Sequence, residues 1–240
     1  MRVIKFLFTM FIFMVLISFT SPAMAENKEI EIMPDVVAKH DPSGLPQIPD
    51  YLLSSTNASI DLMNHLNRMD GAKAQETIKV IADKLPLIRA EAKKQNFSPF
   101  MVDVLENYLR NLPHTVAEGE YYEATVTTNQ MVSIYATMIS YYNPRVPFIL
   151  GHIDYLLQDV YIHSNFGQFD YATARYNDIG LDWKGGLLDD IRSHKGGELI
   201  TQFEKGMKSL DASVKAKNLP AIEKQVNELK GIISDIEGLY

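Results

Sequence analysis

This 240-residue sequence predicts an all-α fold of antiparallel helical hairpins, on three observations. After residue 50 apolar side chains recur at helical spacings, as Leu52, Ile60, Met63 and Leu66 do, then Ile78, Ile81, Leu85 and Ile88. Sharp breaks stand at Asp70-Gly71, Glu118-Gly119-Glu120, Phe166-Gly167-Gln168 and Asn218-Leu219-Pro220. Helix-start chemistry sits just after such breaks, with Ser98 before Pro99 and Pro220 opening the last segment.

In chain order, the first element is a leader. Arg2 and Lys5 precede an apolar run from Leu7 to Phe19, and Ala23-Met24-Ala25 supplies a small-x-small cleavage site. Residues 1–25 are therefore expected to be removed after Ala25, which places the protein in the periplasm or outside the cell. The chain would touch a membrane only during export. Residues 26–49 carry Pro34, Pro42, Pro46 and Pro49 and read as an extended arm, with Ile30-Glu31-Ile32 as a short strand.

The remainder divides into 50–142 and 143–240. Breaks near 71, 119, 167 and 219 are separated by 48, 48 and 52 residues, a regularity that predicts four αα-hairpins in series. They would form two four-helix bundles or one elongated stack. In the last helix Ile222, Val226, Leu229, Ile232 or Ile233, Ile236 and Leu239 make an amphipathic core-facing stripe.

Composition narrows the function classes. Loss of residues 1–25 removes two basic groups and no acidic ones, so the formal charge moves from −7 to −9. No basic block favours nucleic acid or anionic lipid. Cysteine is absent, which excludes disulfides, thiol catalysis, covalent haem attachment and a lipid anchor on a signal-proximal Cys. No phosphate-loop, dinucleotide or nucleophile-elbow motif is present, and the lone Trp183 reads as a core plug.

Two constellations stand out. On a helix, His152, Asp159 and His163 fall at 0°, about 340° and about 20°, a single stripe bordering the core face. Imidazole and carboxylate together suit a divalent metal or acid–base work. His152 and Asp159 are roughly 10 Å apart, so only Asp159 and His163, at i and i+4, could share one ion; such a pair at a helix edge is usually an ordinary surface contact. Second, nine of the twelve tyrosines lie between 121 and 176. Tyr135, Tyr141, Tyr142, Tyr155 and Tyr161 are candidates for a ligand or partner surface, since a tyrosine buries its ring and keeps a hydroxyl for a partner; helix packing is the other explanation.

From about Thr128 to Tyr240 the chain resembles a group of exported bacterial helical proteins, many of them lipoproteins, without assigned activity. Pro144-Arg145-Val146-Pro147, Ile153-Asp154-Tyr155-Leu156, the turn at Gly167, Trp183 and the closing Asp235 to Tyr240 carry the resemblance. It implies a helical bundle and no catalytic residues, and this chain departs from it in lacking an anchor Cys. The hairpins also look like the cytochrome c′ and cytochrome b562 type of bundle, without haem-ligating residues. The expectation is a non-enzymatic exported bundle that binds an envelope protein or a small ligand. The alternatives are a metal protein using the His/Asp stripe and a structural envelope protein.

Overall fold

The computed structural model describes residues 47–142 and 145–240. The leader and the arm as far as residue 46, with its expected strand, lie outside the described residues. Among the described residues every regular element is a helix: α1 Asp50–Asn67, α2 Gly71–Ala82, α3 Leu85–Gln95, α4 Pro99–Ala117, α5 Tyr121–Ser140, α6 Phe148–Asn165, α7 Phe169–Lys184, α8 Leu187–Ser193, α9 Gly197–Lys215 and α10 Leu219–Glu237. No helix among them is long and apolar enough to cross a membrane.

The four sharp turns are built alike. Each has one residue in the left-handed region: Met69 (φ 56°), Gly119 (φ 79°), Gly167 (φ 75°) and Lys217 (φ 53°). The next amide reaches back five residues: Asp70 N–H to His65 O (2.9 Å), Glu120 to Thr115 (3.1 Å), Gln168 to His163 (2.7 Å) and Asn218 to Ser213 (3.0 Å). That is a Schellman closure, which satisfies the last carbonyls of one helix while reversing the chain. At the first and last turns the following residue also caps the next helix, Asp70 accepting from Lys73 N–H and Asn218 from Ala221 N–H.

A longer period underlies these turns. α1 and α6 begin at 50 and 148, α2 and α7 at 71 and 169, α4 and α9 at 99 and 197, α5 and α10 at 121 and 219. Every pair is offset by 98 residues; only the short helices α3 and α8, at 85 and 187, depart from it. Buried positions keep the same register: Leu52 and Leu150, Ala74 and Ala172, Ile81 and Ile179, Leu112 and Leu210, Val116 and Val214. The chain is an internal structural repeat, each copy being hairpin, short helix, hairpin.

Packing repeats too. In the first copy α1 lies against α2 and α5, α2 against α4, and α4 against α5. In the second, α6 lies against α7 and α10, α7 against α9, and α9 against α10. Each set of four thus closes on itself around its own hydrophobic cluster. Trp183 plugs the second cluster, stacked on Phe203 with centroids 4.0 Å apart. At Gly206 a Cβ would stand 2.7 Å from Leu229 Cδ2, so the glycine lets α9 and α10 approach closely. The two copies join through α5 against α6.

Even the closing contacts match. Tyr142, after α5, donates to Glu91 on α3 (2.7 Å), and Tyr240, after α10, donates to Asp190 on α8 (2.5 Å). In the first copy Tyr51 and Gln95 add bonds to the same carboxylate, at 2.7 and 2.8 Å. Glu91 is 7% exposed, covered by these partners. Burial alone would raise its pKa, but Gln95, Tyr142, Tyr51 and the Lys94 charge together lower it to about 2 from 4.5. At His163, burial and then the Arg175 charge lower the pKa to about 4 from 6.5. Both groups therefore bind fewer protons folded than unfolded, so stability rises with pH through each window. Stability is expected to fall from pH 6.5 toward 4 through His163 and from 4.5 toward 2 through Glu91. Glu91→Gln should cost roughly 1–2 kcal/mol at pH 7 and almost nothing near pH 2, a difference that urea titrations of both forms across pH would register.

Candidate functional site

Two features lie where the copies meet. One is a groove of about 560 Å³ between α1, α5, α6 and α10. Its lining draws on equivalent positions of both copies: Ile60 and Gln158, Met63 and Tyr161, Asn129 and Asn227, Val132 and Lys230, Ala136 and Ser234. Asn165 Nδ2 donates to Oδ1 of Asn67, its own counterpart, at 3.4 Å. A residue meeting its counterpart is the mark of an isologous contact, here within one chain. The groove is accordingly a seam: α5 packs against α6 on one side, while α1 and α10 flank open space on the other.

Ile60 illustrates how the seam departs from a packed interface. Its spacing with Leu52, Met63 and Leu66 predicts burial, yet it is 42% exposed and lines the groove. Asn64, Asn67, Asn129, Gln158 and Asn227 supply amide groups, and Asp154, Glu223, Lys230 and Glu237 supply charge. Gly151 leaves a notch in the α6 wall, since nothing lies within 4 Å of the position its Cβ would take.

Behind the seam is a buried polar cluster joining α5, α6 and α7. Asp159, 1% exposed, accepts from Asn129 Nδ2 at 2.7 Å through Oδ1 and pairs with Arg175 Nε at 3.3 Å through Oδ2. Asn129 also donates to the Tyr155 carbonyl at 3.3 Å, and Arg175 reaches Asp178 at 3.1 Å. Burial pushes the Asp159 carboxyl upward, opposed by Asn129 and then by the guanidinium. Arg175, which does not deprotonate, supplies the positive charge that faces this carboxyl. Asn129 and Tyr155 belong both to this cluster and to the groove lining.

The three residues of the His/Asp stripe go to three different partners. His152 Nδ1 bonds Asp182 at 2.9 Å while its ring stacks on Tyr155. Asp159 has both oxygens engaged as above. His163 Nδ1 meets the Tyr122 hydroxyl at 3.0 Å, with Tyr171 beside the ring. Its Nε2 is buried without a hydrogen-bond partner among the described residues. No group of three or more His, Asp or Glu among the described residues could hold a metal ion.

The tyrosines separate by burial. Tyr155 and Tyr161 line the groove. Tyr135 is fully buried in the first hydrophobic cluster, its hydroxyl, like Ser55 Oγ, without a hydrogen-bond partner among the described residues. Tyr142 is closed onto Glu91, and Tyr141 packs edge-on against Phe97 at 4.8 Å. Sequence reasoning missed Asn129 and Arg175, which hold Asp159, and the seam charges Asp154, Lys230 and Glu237. Asn129 carried one signal, namely its identity with Asn227 at the 98-residue offset.

No protein-family model, curated protein or solved structure matches the chain. The reading of the site rests on the geometry above.

Proposed function

We propose that this is an exported, non-enzymatic binding protein that receives a small ligand in the seam between its two copies. The observation that carries the reading is the groove itself: about 560 Å³, lined by both copies, mixing apolar floor with convergent amide, tyrosine and carboxylate groups. Ligand sites have volumes in that range and favour positions where structural units meet. The N-terminal charge, apolar run and Ala-x-Ala site support export.

Gly151→Phe provides the test. The new ring would enter open space, and replacing a helical glycine favours the helix, so the variant should fold. In a thermal-shift panel of sugars, amino acids, amines, organic acids and divalent metals, at least one compound should raise the Tm of the full chain and fail to do so for Gly151→Phe. A panel in which no compound raises the Tm removes the reading. The second reading, a divalent metal at His163 and Asp159 with His152 nearby, draws on the unpartnered Nε2 of His163. Protection by a metal that survives Gly151→Phe and disappears in His163→Ala would put it in place of the first.

A further inference from the structure

The seam is charged on one side. Asp154 on α6 and Glu223, Lys230 and Glu237 on α10 all belong to the second copy. Their counterparts in the first are Thr56, Thr125, Val132 and Ile139. Lys230 Nζ lies 3.3 Å from Asp154 Oδ2 and donates to Gln158 Oε1 at 3.2 Å, so that pair is internally neutralised. Glu223 and Glu237 make no ion pair among the described residues. They stand 14 residues apart on one helix, hence about 21 Å along the groove. Each end of the seam therefore holds a carboxylate that lacks a cation.

The dimensions select the shape of what fits. A volume of about 560 Å³ over about 21 Å gives a mean cross-section near 27 Å². A helix 10 Å across would need about 80 Å², so an extended chain suits the seam better than a helix does. Between the two carboxylates the walls are mixed. Ile60, Val132 and Ala136 offer apolar contact, and the side-chain amides of Asn64 and Asn227 offer oxygens to N–H donors. Burial raises the pKa of both Asp154 and Glu237, and the Asp154 charge raises Glu237 further. An added cation would relieve that repulsion.

Resting on the seam as a ligand site, we propose that the occupant is a linear aliphatic oligoamine. Its terminal ammonium groups lie at Glu223 and Glu237, and its methylene segments lie along Ile60, Val132 and Ala136. An acidic, half-enclosed slot discriminates by charge spacing: a chain long enough to reach both carboxylates gains two charge-assisted contacts, a short one gains a single contact.

Calorimetry on the full chain tests this with spermine, spermidine and 1,4-diaminobutane at low and at physiological salt. Spermine should bind at least tenfold more tightly than 1,4-diaminobutane and weaken as salt rises. Glu223→Gln with Glu237→Gln should weaken spermine at least tenfold, and Gly151→Phe should abolish binding, with circular dichroism confirming that both variants are folded. Spermine binding that is indifferent to the Glu→Gln pair overturns the proposal. So does tighter binding of an oligolysine peptide, which would make the ligand a cationic peptide. If amines fail while a neutral compound protects the wild type and not Gly151→Phe, the amine class falls and the seam stands. If nothing binds, both readings fall.

Discussion

Deleting residues 219–240 is expected to abolish the cooperative melt of the second copy and remove about half of the helical circular-dichroism signal. α10 supplies Ile222, Val226, Leu229, Ile233 and Ile236, all buried, and packs against both α6 and α9. At about 1.5–3 kcal/mol for each buried side chain, the loss comes to roughly 8–15 kcal/mol. That equals the whole stability of an ordinary domain. The first copy keeps its own hydrophobic cluster, Leu52 through Tyr142, and the helical signal that survives should come from there. A truncated chain that retained full helicity and a single sharp transition would show that α10 is peripheral.

Arg175→Met should cost about 3 kcal/mol, lowering Tm by about 6–12 °C. The arginine is the cation beside a carboxylate that is 1% exposed, and its removal leaves that charge in the interior with only an amide for company. Asp159→Asn in the Arg175→Met background should recover much of the loss, because the remaining buried amides can hydrogen-bond without a charge. The double-mutant cycle isolates the coupling. A cost under 1 kcal/mol for Arg175→Met would mean that Asp159 is already protonated in the folded chain.

These two expectations differ in how visible they are from residues alone. The amphipathic stripe of α10 is local, and a 3.6-residue period exposes it directly. Turn chemistry is local too, so Gly119 and Gly167 mark reversals that the structure places at those glycines, with left-handed backbone. The roughly 48-residue spacing of the turns was half of the true period. The 98-residue copy stays hidden because burial pattern is shared while side-chain identity is confined to scattered positions such as Leu112 and Leu210, or Asn129 and Asn227.

The site was harder to read for a different reason. Asp159 and His163 have counterparts of the same type in Asp61 and His65, yet Asp61 is exposed and Asp159 is buried. What separates them is α5, which covers α6, together with Arg175, where the first copy has Thr77. Such partners come from other helices and leave no trace in spacing. Tyrosine clustering likewise mixed two populations: Tyr155 and Tyr161 reach the seam, while Tyr135 and Tyr142 complete a hydrophobic core. Density of a residue type along the chain does not report which side of a helix each one occupies.

The repeat within one chain has a consequence for how such a groove can be built. In a symmetric homodimer every substitution appears twice, so a carboxylate placed at one end of a shared cleft is compelled to appear at the other. Tethering the two copies in one polypeptide lifts that constraint. Position 132 can remain Val while position 230 becomes Lys, and position 139 can remain Ile while position 237 becomes Glu. One copy is left free to keep an uncharged wall while the other acquires polarity, a division of labour open to a fused pair and closed to an identical one.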